Sequence, residues 1–546
     1  MQALAHERNA MELTRLRNAT SAADLKVRHV PDIETLFDLN WILKCRIKIL
    51  VVTDSGVGGF SEGTGTHIGQ ALKIVMSDLW PHVVFDITKA HRQTIVGSEA
   101  DIGDFRFDSH NLSQYDQIWL FGINGTGPDA LSDAELSEIA QFMDNGGGLF
   151  ATGDHEALGQ AMSARVPRAR VMRRWYYGGQ GPNGEPEAPA ISGSARHDTL
   201  VVDPATGTTD QSDDVPQTIR PRWYRAWSFF PIFGKHVQYP HPVLCGPVGP
   251  ITHLPDHMHE GHCEVPSDLS KSFTFDGYTT TEFPTLDGHQ QSPEVIAWAS
   301  SAPLTNDREF GVLGAYDGHR SGVGRVLVDA TWHHWLNLNI EGFIAATDPT
   351  SPTFDPAVVP EWEEIKSYYR NVAAWLAPTA KQRCMRNGGW LVALKSFDVR
   401  MALQSAERAP SIAYYWQLGV FARDALGRLA SQCQRRVWLC DLFKLLDAEA
   451  LLPDPWGPEP PDPRKEELPV IQSADIETVA LGAAIHALGA KFAAEQDLQG
   501  LVEKGSEDIE ALAARGVADG VGQLLQGLRE GTETALRLAD GLNPHR

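Results

Sequence analysis

Gly146-Gly147-Gly148-Leu149-Phe150-Ala151-Thr152-Gly153-Asp154-His155-Glu156 sets a short apolar run between a glycine turn and a second glycine, and ends in three side chains able to bind metal or move protons. A run this short, bounded by turn signals, reads as a buried strand. In an open α/β sheet, ligands sit at the carboxyl ends of the strands. Asp154 and His155 are therefore the first residues to assign to an active site.

The chain on either side supports a sheet of such strands. Ser132-Asp133-Ala134-Glu135 matches a capping box and opens a helix to about Met143, which Asn145-Gly146 ends. Upstream, residues 46–54, 83–87 and 117–122 read as further short buried strands. A glycine-rich loop over 56–65 follows the first, and then a helix from Thr66 to about Leu79 carries Ile68, Leu72, Val75, Met76 and Leu79 on one face. Strand and helix alternating at this pace predict a doubly wound, flavodoxin-like parallel sheet. The pattern breaks over 164–290, a Pro-, His- and Trp-rich stretch read as an ordered insertion. It resumes with a strand at Val295–Trp298, a hairpin from strands 310–316 and 324–330, the sequence Thr331-Trp332-His333-His334-Trp335, and an amphipathic helix over 361–376.

The organisation expected is thus a helical extension over 1–45, an α/β domain in two parts (46–163 and 291–378) around the 164–290 insertion, and a helical region over 379–546. A Pro-rich linker near 452–463 interrupts the last of these. The 546 residues contain 42% hydrophobic positions and 15 tryptophans, ample for a core. The net charge of −23 argues against nucleic acid and anionic membrane as partners. The basic run Arg165–Arg174 reads as a solvated helix face, with contact to an anionic ligand as the alternative. The six cysteines are scattered without a C-x-x-C pair, poor material for a disulfide framework or a thiolate zinc site, and fit a reducing compartment. Without a signal-peptide core or a stretch of roughly 18 apolar residues, the expectation is a soluble cytoplasmic protein.

The order of elements resembles a family. The strand with its Asp54-Ser55-Gly56 loop, Tyr115-Asp116 before a strand ending at Gly122, the Ser132-led helix and Gly146-Gly147-Gly148-Leu149-Phe150-Ala151-Thr152-Gly153 look like the class I glutamine-amidotransferase-like superfamily, nearest to its ThuA-like branch. Gly322-Val323-Gly324-Arg325-Val326-Leu327, before a strand ending in histidine, is similar to the closing segment of those proteins. The resemblance covers 46–163 and 290–378. It implies a flavodoxin-like scaffold and, through the ThuA-like branch, a carbohydrate-type small-molecule substrate, on which tryptophans around 175–227 and 298–335 would stack. True amidotransferases place a cysteine nucleophile where this chain has Gly153-Asp154-His155, and a His and Glu pair where it has His333-His334. Glutaminase chemistry is therefore not expected.

Histidines fill the gap. Six of the 20 fall within 27 residues (His236 to His262), densest at His253-Leu254-Pro255-Asp256-His257-Met258-His259-Glu260. In an extended segment His257 and His259 share a face. With Asp154, His155 and one of His333 or His334 at strand ends, they form a ligand pool for a divalent transition metal, zinc first, with an open position for water. Such a metal brings the pKa of bound water toward neutrality, and Glu156 or Glu260 would be the general base. The expected function is a metal-dependent hydrolase or lyase. Two alternatives stand: a non-catalytic ligand-binding or scaffold protein associating with itself or a partner through its C-terminal helices, and an enzyme using Asp154 as covalent nucleophile with His155 or His333 as base.

Overall fold

A computed structural model of the chain describes residues 45–77, 82–154, 157–176, 179–181, 217–228, 235–246, 249–255, 262–301, 308–404, 410–427, 430–457, 473–494 and 506–541. Residues 1–44, and with them the expected helical extension, lie outside this set. The chain divides into two compact units, one of 45–386 with 427–477 and one of 387–426 with 478–546 and the N-terminal residues.

In the first unit the strands, in chain order, are β1 (Cys45–Thr53), β2 (Val83–His91), β3 (Gln117–Phe121), β4 (Gly148–Thr152), β5 (Gln217–Pro221), β6 (Trp223–Ser228), β7 (Lys235–Pro240), β8 (His253–Leu254), β9 (Ser272–Phe275), β10 (Tyr278–Thr281), β11 (Thr285–Leu286), β12 (His289–Gln290), β13 (Glu294–Ser301), β14 (Arg308–Tyr316) and β15 (Val326–Asp329). Nine of them form the central sheet in the order β2-β1-β3-β4-β15-β14-β13-β5-β8. The first five run parallel and the rest join antiparallel. β3, β4 and β15 are buried at every position, which is why they read as unbroken apolar runs rather than alternating ones. The fold is mixed α/β around this sheet. The 310–330 hairpin appears as expected, with β14 paired to β15 from Tyr316–Val326 to Leu313–Asp329. The insertion is not merely built on the sheet: its β5 and β8 extend it, while β6–β7, β9–β10 and β11–β12 form separate ribbons.

Helices are α1 (Gly69–Met76), α2 (Asp133–Asp144), the single turns α3 (Gln160–Ser163) and α4 (Ala169–Met172), α5 (Asn337–Thr347), α6 (Val359–Trp375), α7 (Thr379–Lys395), α8 (Phe397–Gln404), α9 (Ile412–Gly427), α10 (Gln432–Leu445), α11 (Ser473–Ala494) and α12 (Ser506–Gly541). α2 starts at the predicted capping box, with Ser132 and Glu135 each accepting from the other's backbone N–H. α5 was not expected: it directly follows the histidine pair, where no helical spacing stands out. In the second unit α9, α11 and α12 pack at glycines. Gly419, on α9, lies against the Thr478 carbonyl and Gly516, on α12, against that of Ala483, with no room for a Cβ. No described helix is long and apolar enough to cross a membrane.

Two expectations are corrected here. Cys45 and Cys384 are joined by a disulfide spanning 339 residues of sequence. Cysteine spacing carries no sign of a pair that only the fold brings together. Cys245, Cys263, Cys433 and Cys440 are free and buried. The basic run 165–174 is not a solvated face: Arg168, Arg170 and Arg173 are fully buried. Arg168, held at a φ of 68°, pairs with Asp144 at the end of α2, and its N–H donates to Glu282. Arg170 stacks on Phe273 at 3.7 Å and lies 3.7 Å from Glu282. Tyr278 and Thr280 of β10 donate to Asp144. These contacts clamp the β9–β10 ribbon to α2.

Burial pushes the Glu282 carboxyl up to about 7, against the pull of Arg170 and of the Arg168 N–H and charge. A carboxyl raised above its ordinary 4.5 contributes stability that is whole below that value and is lost as pH rises through about 7. Urea unfolding between pH 4.5 and 8 should show wild type losing roughly 3 kcal/mol more than Glu282→Gln. Parallel curves would contradict this reading.

Candidate active site

The chain runs from β1 outward to β2 and returns to β3 on the other side of β1. At such a switch point the loops part and leave a crevice at the carboxyl ends. Asp54, buried just past β1, accepts from the backbone N–H groups of Gly56, Val57, Ile123 and Asn124 at 3.0, 3.3, 2.8 and 2.7 Å. Burial still raises its carboxyl above the ordinary range, opposed by these amides. The glycine loop's first donors are thus occupied by an internal anion, which removes the cradle that phosphate would need. Beside it, Ser55 Oγ donates to Asp129 at 2.5 Å, Asn124 Nδ2 donates to both Ser55 Oγ and Asp129 at 2.9 Å, and Gln93 donates to Asp129 at 3.2 Å. Ser55, Asn124 and Gln93 remain half-exposed. Asn337, at the start of α5, binds the same loop through the Ser61 and Gly63 carbonyls and the Gln70 N–H.

Farther along the same edge, β4 and β15 end side by side, and the Trp332 N–H donates to the Gly153 carbonyl at 2.8 Å. This link brings Asp154 and His333 together, with Oδ2 3.6 Å from Nε2 and both side chains buried. Residues 332–334 form a 3-10 turn rather than continuing the strand, and the Thr331 hydroxyl caps it by accepting from the His333 N–H. His333 Nδ1 lies 2.9 Å from Asn339 Oδ1, an atom that only accepts. With Nδ1 turned to that acceptor, Nε2 is the ring nitrogen that faces Asp154.

His334 turns to a different partner. Its Nδ1 donates to both oxygens of Asp329, at 2.8 and 2.9 Å. The same carboxylate accepts from Tyr368 at 2.7 Å, Trp335 at 3.2 Å and the Thr331 N–H at 3.3 Å. Among the described residues His334 Nε2 has no hydrogen-bond partner. Arg173 holds both strand ends by donating to the Asp154 carbonyl and, at 3.1 and 3.3 Å, to that of Ala330, while stacking on Trp175. Burial lowers its guanidinium to about 10, opposed by Cys263, Asp154 and Asp329. Gly153 is required here, because a Cβ would stand 2.6 Å from Trp175 and 2.9 Å from Arg173 Cζ.

Of the residues singled out in the sequence, Asp154 and His333 meet, and His334 lies next to them on its own carboxylate. His155, Glu156, His257, His259 and Glu260 lie outside the described residues, and among the described residues no group of three or more candidate metal donors is found. Sugar stacking by the buried tryptophans is corrected: Trp175 and Trp335 are wholly buried, Trp335 against Trp119, Phe121 and Phe150, while Trp223 is exposed. His241 is a core histidine pushed down to about 3 by burial. Sequence reading missed Asp129, Asp329 and Asn339, and took Arg173 only as part of the basic run. Asp329 was open to discovery, as a carboxylate ending an otherwise apolar strand; Asp129 and Asn339 carry no local signal.

Asp54→Asn would set an amide N–H₂ against backbone donors and should cost about 2–4 kcal/mol in chemical denaturation, with Asp54→Ala at least as damaging. A loss below about 0.5 kcal/mol, the scale of an ordinary surface substitution, would show that the four amides do not depend on the carboxylate.

Comparison of the chain with protein-family models, with curated proteins and with solved structures finds no match.

Proposed function

We propose that the chain is a metal-dependent hydrolase or lyase acting on a carbohydrate-type small molecule, with its centre where β4 and β15 end. The observation that carries this is the buried pair of Asp154 Oδ2 and His333 Nε2, 3.6 Å apart. Two donors each about 2.1 Å from one tetrahedral ion stand about 3.4 Å apart, so the pair has the spacing of two ligands of a shared cation. Asn339 on Nδ1 supplies the outer contact that fixes a ligating histidine in its ring orientation. Asp154 and His333 would hold the ion, with His155, His257 and His259 as the pool for further ligands. A divalent transition metal, zinc first, would supply a hydroxide-like water near neutral pH.

The chain's own residues do the rest. Asp154 and His333 bind, Arg173 holds their backbone in place, and Glu156 or Glu260 is the proposed base. Ser55, Asn124 and Gln93, uncharged and half-exposed on the same edge, offer the hydroxyl and amide groups that pair with sugar hydroxyls. The parallel order β2-β1-β3-β4-β15 supports a flavodoxin-like, glutamine-amidotransferase-like scaffold.

Elemental analysis of the purified protein should find roughly one transition metal ion per chain, lost in Asp154→Asn and His333→Ala, with Asn339→Ala binding about 10–100-fold more weakly. A metal-free protein whose variants match wild type in stability and metal content would favour the scaffold reading instead.

A further inference from the structure

Away from the strand ends, β8 is the outermost strand of the central sheet and pairs with β5 through only two residues, His253 opposite Thr218 and Leu254 opposite Gln217. So short a ladder contributes little by itself. What fastens it lies on α6. His253 Nδ1 lies 3.1 Å from Glu364 Oε2 and Nε2 lies 3.8 Å from Glu361 Oε1, so each ring nitrogen faces its own carboxylate. Glu364 Oε2 also accepts from the Thr252 N–H at 2.8 Å and hydroxyl at 3.3 Å. Glu361 and Glu364 stand one helical turn apart, which places both on the α6 face that meets the strand.

A neutral imidazole has one N–H; only the imidazolium turns an N–H to each carboxylate, hydrogen-bonded to Glu364 at 3.1 Å and ion-paired with Glu361 at 3.8 Å. We propose that His253, Glu361 and Glu364 form a pH-sensitive latch that fastens the edge strand β8 to α6, tight while the ring carries both protons and loosened, with Thr252 still on Glu364, when it loses one. Side-chain exposures of 24%, 31% and 28% leave all three within reach of solvent protons. Among the described residues the charged groups acting on the ring are these two glutamates, and the paired β5 residues, Gln217 and Thr218, carry no titratable group. The hydrogen bond and charge of Glu364, then the charge of Glu361, raise the histidine above its ordinary 6.5, opposed by burial. The same contact lowers Glu364. A histidine raised in the folded state contributes stability that is whole below 6.5 and lost as pH rises through the raised value. The latch is therefore tight in mild acid and loosens on the alkaline side. It stands independently of the proposed chemistry at Asp154 and His333.

Two measurements on the full chain test it. The His253 ring should titrate above 6.5 in an NMR pH series and move down in Glu361→Gln and in Glu364→Gln. Amide exchange over 251–254, corrected for the intrinsic pH dependence of exchange, should be about tenfold faster at pH 8.5 than at pH 6. In His253→Gln, which cannot be protonated, the corrected rate should be fast at both. A ring titrating at or below 6.5, or a pH dependence that survives in His253→Gln, would overturn the latch. Because the three side chains are partly exposed, the single variants should fold; should His253→Gln fail to, the two glutamate variants decide through the ring titration.

Discussion

Carboxylates buried at the ends of parallel strands organise this protein. Asp54 follows β1, Asp154 follows β4, and Asp329 closes β15. All three are essentially excluded from solvent. An ionised carboxylate in such a place is tolerated only when its oxygens are met by donors or by positive charge. The structure meets each in a different way. Backbone amides surround Asp54, aromatic and imidazole donors surround Asp329, and Asp154 faces a histidine with the Arg173 guanidinium on its backbone. The loops at this edge are shaped by that requirement: the first glycine turn wraps a carboxylate, and the turn after β15 folds back so that its histidines reach theirs.

The Asp154–His333 pair is unlike the other two. Asp54 and Asp329 are met by several donors that hold the fold together, whereas Asp154 faces one ring nitrogen of His333, whose other nitrogen is turned to Asn339. A buried carboxylate oxygen and imidazole nitrogen 3.6 Å apart are spaced to share a proton or a cation. That spacing is why the proposed chemistry is assigned to this pair. His334, one residue on, has its strong bond to Asp329 among Trp335 and Tyr368, where it braces the turn that presents His333.

Much of the scaffold was legible in the sequence. Continuous apolar runs marked β3, β4, β15 and the second half of β1, because strands buried on both faces cannot alternate, and the capping box at Ser132 and Glu135 marked the start of α2. Asp154 and His333 were legible as chemistry-bearing residues at strand ends. Their meeting was not, since it depends on a backbone bond between Trp332 and Gly153, 179 residues apart. The basic run 165–174 misled for a definite reason: charge in a sequence signals solvent unless its partners are visible, and Asp144 and Glu282 are far away along the chain. The Cys45–Cys384 disulfide was hidden in the same way. Asn339 and Arg173 act through the position of their neighbours, and residue type alone says nothing of that.

The central claim is that Asp154 and His333 hold a cation between them. The direct measurement is a crystal structure of the protein equilibrated with zinc or manganese, with the ion located by anomalous scattering. The account predicts a peak about 2 Å from both Asp154 Oδ2 and His333 Nε2, with Asn339 still bonded to Nδ1. An ion bound elsewhere, or no ion with the pair left as it is, would contradict it.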